Sequence, residues 1–272
     1  MPQSRAGSGN MEEAIARHVH ISGTRHRPEA FNAAPTDTVP EIAAYGRLSL
    51  RSAMKGNEVG DAMLRRSGIR KVHEIIINEL RPTQITVGMI EVEEKRRHIA
   101  KMMRDRPHRL ACYITDHAIP AVAGCDGHYF LVDHHHLGRA LWEARVKTAP
   151  FEIIGDLSAL EQRDFWREME RQNWVHPYDE AGRKRDFSEI PHHLKSLRDD
   201  PFRSLAAYVR DAGGYEKTPA PFAEFVWADF FRKRIEAAKL AEHRFETAIE
   251  QGITLARHAA AAHLPGYIKA TP

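Results

Sequence analysis

Ile119-Pro120-Ala121-Val122-Ala123 is followed by Gly124-Cys125-Asp126-Gly127, by His128-Tyr129-Phe130-Leu131-Val132-Asp133, and by His134-His135-His136-Leu137-Gly138-Arg139-Ala140-Leu141. Two apolar runs on either side of a short Asp-Gly turn predict a β-hairpin. The second run stops at Asp133 and a helix is expected over Leu137–Arg145, so a polar cluster sits where a strand passes into a helix. Pro150-Phe151-Glu152-Ile153-Ile154 reads as a further strand. Upstream, Lys71-Val72-His73-Glu74-Ile75-Ile76-Ile77 predicts another, and Leu80-Arg81-Pro82-Thr83-Gln84-Ile85 an extended lead-in. From Glu91 the spacing turns helical: Val92, Ile99 and Met103 form one stripe, and Arg106-Pro107 is expected to end it.

After Asp156 the pattern is expected to be all helix. Ser158-Ala159-Leu160-Glu161 has capping-box spacing. Asp200-Pro201 reads as an N-cap followed by proline in the first turn, opening a helix with Phe202, Leu205, Ala206 and Val209 on one face and Gly213-Gly214 at its end. Pro221 is expected to open a last long helix reaching about His263, before Leu264-Pro265-Gly266. Its aromatics Phe222, Phe225, Trp227, Phe230 and Phe231 fall on more than one face. That predicts packing on at least two sides, by the Pro201 helix and by the α/β core or a second subunit of a homodimer, as a wall of the cleft facing the histidines. Asp229 lies on the same stripe and needs a cation, Arg203 or Arg232. Residues 1–70 are rich in small and turn-forming residues, with one weak helix over Met11–His18, and read as an arm. The expected architecture is α+β: an arm over 1–70, a mixed-sheet core over 71–157 and a mostly helical domain over 158–272.

A chain of 272 residues makes one large domain or two small ones. With 42% hydrophobic and 28% charged residues, wholesale disorder is excluded. No apolar run approaches the roughly 18 residues of a membrane span, and Met1-Pro2-Gln3-Ser4-Arg5 begins no secretory signal, so a cytoplasmic chain without membrane contact is expected. Cys112 and Cys125 alone cannot build a disulfide framework or a cysteine zinc site. The net charge of +3 is too small to argue for nucleic acid, and basic residues alternate with acids, as in Arg183-Lys184-Arg185-Asp186.

The 17 histidines concentrate most densely at 134–136. A helix N-terminus presents unpaired N–H groups and a positive partial charge, so it holds phosphate without much net charge. Imidazoles can add donors there, and Arg139, one turn on, a fixed charge. The plainer alternative is that Asp133 caps the helix and the histidines are incidental. Consecutive helical residues point about 100° apart, so the triplet does not chelate one ion as an i, i+4 pair would. His117 and His128 could complete a site across the sheet, but no spacing specifies it, and no metal bound by protein ligands alone is expected.

Tyr129-Phe130-Leu131-Val132-Asp133-His134-His135-His136, running into Leu137-Gly138-Arg139, resembles the D-G-H-H-R box of the ParB/sulfiredoxin superfamily. Leu80-Arg81-Pro82-Thr83-Gln84, Val87-Gly88 and Glu91-Val92 with Lys95 are similar to the first box of its ParB-like nuclease branch. Asp199-Asp200-Pro201-Phe202 and Pro221-Phe222-Ala223-Glu224-Phe225 are similar to that branch's helical extension. His135 stands where sulfiredoxins need a cysteine, and His136-Leu137 where partition-type clamps hold CTP with arginines. The superfamily's free-serine kinases keep paired histidines and use a first-box glutamate as base, a pattern that His135, His136 and Glu91 match. The box glycine and closing arginine are replaced, by His134 and Leu137.

The resemblance therefore implies a nucleotide-binding phosphotransferase or nucleotide hydrolase. Glu91, His135 and His136 would be catalytic, and Asp133, His134, Arg139, Lys95, Arg81 and Gln84 would hold ATP or ADP with Mg²⁺ beside a small-molecule acceptor. The alternative it implies is a DNA-associated nuclease or partition-type DNA-binding protein. A bland reading of Glu91 and Lys95 is an exposed i, i+4 ion pair worth about 0.3–0.5 kcal/mol.

Overall fold

Five strands form one mixed sheet in the order β1–β6–β4–β5–β2, built from β1 (Val72–Ile76), β2 (Leu80–Pro82), β4 (Ile119–Ala123), β5 (Tyr129–Leu131) and β6 (Thr148–Asp156). The computed structural model describes residues 72–117 and 119–269. The arm over 1–70 and its helix at Met11–His18 lie outside them. β4 and β5 pair antiparallel across the Gly124–Gly127 turn, with Ala121 opposite Leu131 and Ala123 opposite Tyr129. β4 runs parallel to β6, with a bulge at Ala121/Val122, and β2 runs parallel to β5.

Alternation along the hairpin divides the core. Ala121 and Leu131 face a cluster with Val92, Ile99, Leu137 and Leu141, whereas Val122 and Phe130 face Phe165, Met169 and Ile190 on the other side. The first cluster is closed by α1 (Met89–Asp105) and α3 (His135–Glu143), and the second by α4 (Gln162–Arg171). A third cluster joins α5 (Pro201–Asp211), α6 (Ala223–Arg232) and α7 (Phe245–Arg257). A separate parallel pair, β3 (Thr86–Val87) with β7 (Arg198–Asp199), ties the start of α1 to the start of α5. Met89 N–H donates to Asp199 Oδ1 at 2.9 Å, and Asp200 N–H to the Val87 carbonyl at 2.8 Å.

Several local expectations give way to tertiary packing. Pro107 does not merely end a helix: after the single residue Arg106 it opens α2 (Pro107–Asp116), at the position where its missing N–H costs nothing. Ser158 forms no capping box. Its N–H and hydroxyl turn back to Asp156 Oδ1, Glu161 is the N-cap of α4, and a reciprocal box forms instead between Asp186 and Glu189. Helix α3 starts at His135 rather than Leu137, behind an N-cap at His134 and not Asp133, whose carboxylate instead accepts from His134 N–H. Residues 173–197 are irregular, not helical, and carry two 3₁₀ turns and the bridges Gln84–His176 and Tyr178–Lys184.

The last long helix is two helices. Ile235, Leu240 and Phe245 are all buried in one cluster. On a continuous helix, residues five apart point about 140° away from each other, so the chain breaks into 3₁₀ turns to bring all three inward. Asp200 does cap α5, accepting from Phe202 N–H at 3.0 Å, with Pro201 in the first turn. Trp227, Phe230 and Phe231 are buried against α5 and α7, while Phe222 and Phe225 are half-buried. Asp229 is not a buried carboxylate: its side chain is 42% exposed and pairs with Arg232.

Candidate functional site

A cleft of about 490 Å³ opens where α1, α3, α5 and α6 converge. Gln84, Glu91, Lys95, Asp133, His134, His135 and His136 line it, so seven of the residues singled out in the sequence come together. Two do not. The Arg81 guanidinium pairs with Asp126 at 2.7 Å and borders a different, smaller cavity. Arg139 pairs with Glu143 at 2.8 Å and donates to the carbonyls of Leu194, Lys195 and Leu197 at 3.0, 2.8 and 3.1 Å. Its charge fastens a loop to α3, and its expected place beside phosphate is not where it points.

His135 and His136 accept hydrogen bonds from the backbone instead of adding donors to the helix start. His135, 5% exposed, takes the Thr83 N–H on Nε2 at 3.1 Å, while the Thr83 hydroxyl donates to the Leu131 carbonyl at 2.7 Å. Burial drives its pKa down to about 3, so it is a neutral acceptor that holds the segment after β2 against α3. His136 Nε2 accepts from Gly88 N–H at 3.2 Å, and burial, then Arg203, pushes it well below the usual imidazole range. His134 caps α3 with φ of +60° and is also shifted down by burial.

Glu91 Oε1 lies 3.3 Å from His136 Nε2. The lone pair of that nitrogen is already engaged by Gly88, so an adjacent anionic oxygen is unfavourable and a proton on Glu91 relieves the contact. Burial raises the Glu91 carboxyl to about 7, against the opposing pull of Arg203, the neighbouring Ser204 hydroxyl and Arg210. Glu91 Oε2, Ser204 Oγ and Arg203 Nε are all buried without an aligned hydrogen-bond partner. Glu91 Oε2 and Ser204 Oγ meet at Gly88, where a Cβ would run into Glu91 Oε2 and stand 2.5 Å from Ser204 Oγ and 2.9 Å from the Ser204 backbone nitrogen, so glycine is required for this approach.

Sequence reasoning missed the α5 side of the cleft. Arg203, 5% exposed at its side chain, pairs with Glu224 at 2.8 Å and lies over the Phe225 ring at 4.3 Å. Arg210 also pairs with Glu224, and Lys95 and Lys217 line the cleft with no ion-pair partner among the described residues. The available signal was Arg203, Ala207 and Arg210 at i, i+4 and i+7, a cationic stripe on small residues of one helix face. Against Phe222 and Phe225, which line the cleft, packs His176, itself stacked on Tyr178. No group of three or more His, Cys, Asp or Glu side chains is placed to hold a metal ion among the described residues.

The mixed sheet, the histidine box at the start of α3 and the first-box glutamate facing it define a ParB-like domain. Residues 73–233 match the family described as "Putative ParB-like nuclease", and the chain belongs to that family. The chain is similar to the crystal structure of protein Atu1540 from Agrobacterium tumefaciens, with 39% identity and a TM-score of 0.67, over 74% of this chain and 99% of that one. No curated protein matches the chain. Among the described residues no helix is long and apolar enough to cross a membrane.

Proposed function

We propose that this cleft binds a nucleotide through its phosphates and transfers a phosphoryl group to a small hydroxyl acceptor or to water. The observation that carries the reading is Glu91, a half-buried carboxyl whose Oε2 is buried and unpartnered and whose pKa is raised to about 7, in a cleft with a buried arginine and two lysines unpaired among the described residues. A base with a pKa near the working pH is the form in which a carboxylate serves general-base catalysis. Glu91 accepts the proton of the attacking hydroxyl. The new oxygen–phosphorus bond forms as the bond to the leaving phosphate oxygen breaks, and that oxygen keeps the electron pair. Arg203, Lys95 and Lys217 offset the phosphate charge, and the first-turn amides of α3 add donors without an intrahelical partner. Mg²⁺ arriving with the nucleotide would supply further charge neutralisation. His135 and His136 are positioning residues in this scheme, holding Thr83 and Gly88.

Calorimetry with ATP and ADP in the presence of Mg²⁺ tests the reading. Binding is expected in the wild type and in Glu91→Gln, with turnover lost only in the variant, and absence of binding by either nucleotide refutes it. The second reading, a DNA-cleaving protein, draws on the family's description. A mobility shift with DNA that weakens steeply with salt, without nucleotide binding, would favour it instead.

A further inference from the structure

We propose that Phe222 is the platform on which the nucleotide's aromatic base stacks, which makes the ligand class a base-bearing nucleotide instead of any phosphorylated small molecule. This rests on the phosphate-binding reading of the same cleft. Phe222 is half-buried, lines the cleft and is the N-cap of α6 with φ of +55°. A bulky side chain in the left-handed region is strained, and such strain persists only where surrounding structure enforces it. The enforcing structure is an aromatic stack. His176 lies 4.7 Å from the Phe222 ring centroid, 3.8 Å from that of Phe225 and 4.3 Å from that of Tyr178. Burial, then Arg203, holds His176 down at about 3, so this backing is uncharged at neutral pH.

Phe225 is occupied by His176 and by Arg203, whose guanidinium lies 4.3 Å from its centroid. Phe222 meets Phe225 only edge-on, at 6.0 Å and 72°, and has no guanidinium over it among the described residues. It is therefore the ring of the stack left to a ligand. The loop leading into it brings Lys217 and Thr218 to the cleft border, on the same cleft as Lys95 and the start of α3. A cleft of about 490 Å³ with cations beside one aromatic platform fits a base at one end and phosphates at the other.

The test uses the full chain with ADP and, separately, pyrophosphate, each with Mg²⁺, by calorimetry on wild type, Phe222→Gly and Phe222→Tyr. Glycine suits the positive φ, so it removes the ring without a backbone penalty, and thermal melting checks folding. Phe222→Gly is expected to weaken ADP about tenfold and leave pyrophosphate within about twofold, while Phe222→Tyr retains both. Equal weakening of both ligands, or unchanged ADP binding in Phe222→Gly, overturns the platform. Wild type that binds pyrophosphate as tightly as ADP also overturns it but leaves the phosphate site standing. Wild type that binds neither overturns the phosphate reading itself.

Discussion

Replacing Glu91 by glutamine should stabilise the protein at pH 8 and change little at pH 4. The carboxyl moves from an ordinary 4.5 to about 7 on folding, because burial beside neutral His136 disfavours its charge. The folded state thus holds the proton more tightly than the unfolded chain. Stability is then greatest below pH 4.5, falls by about 1.4 kcal/mol per pH unit up to about 7, and is flat above. The accumulated cost is about 3 kcal/mol at pH 8. Glutamine has the same shape and no titrating proton, so the variant escapes that cost. Urea unfolding of both proteins at pH 4 and pH 8 isolates it, since every other group contributes equally to the two. A stability difference identical at both pH values would show that Glu91 titrates normally, and would remove the reason to regard it as a base tuned to neutral pH.

Turnover should rise with pH through about 7 as Glu91 ionises, a limb read from kcat/KM against pH that Glu91→Gln abolishes. Gly88→Ala forces a Cβ against Glu91 Oε2 and the Ser204 backbone, and should cost about 1–3 kcal/mol in urea unfolding together with most of the nucleotide affinity. Arg139→Ala strips three loop carbonyls of their donor and should destabilise by about 2–4 kcal/mol, yet leave the nucleotide Kd within about twofold in calorimetry on folded protein. His135→Ala leaves the Thr83 N–H without its acceptor and opens a void, a loss of about 2–4 kcal/mol visible as a lower urea midpoint.

What could be read along the chain was local. The hairpin showed itself because its apolar runs flank a turn whose Gly127 takes a φ of +78°, and the start of α5 because Asp200-Pro201 states both cap and first turn in adjacent letters. The ParB-like family was legible for a similar reason: its two boxes are contiguous runs. The roles of the two arginines were not legible. Arg139 and Arg203 each stand in a helix with suitable neighbours, but their partners, Leu197 and Glu224, are set by how a loop comes to lie on α3 and α6 on α5. The histidine box shows the same limit. Sequence placed imidazoles at a helix start, where they would act as donors, whereas Thr83 and Gly88 arrive from the preceding strands and turn them into acceptors.

The two-residue pairing of β3 with β7 makes the cleft indifferent to the length of chain between its walls. Thr86 is matched to Arg198 and Val87 to Asp199. Glu91 follows one strand within four residues of Val87, and Arg203 follows the other within four of Asp199. A helix turns about 100° and rises about 1.5 Å per residue, so one residue gained or lost inside either short span swings its side chain out of the cavity. The irregular stretch over 173–197 obeys no such count, since it lies wholly between the paired strands. Evolution or an engineer can lengthen that stretch at its exposed residues 183–186, adding new surface between His176 and the turn that Arg139 fastens, while the carboxylate and guanidinium stay in register.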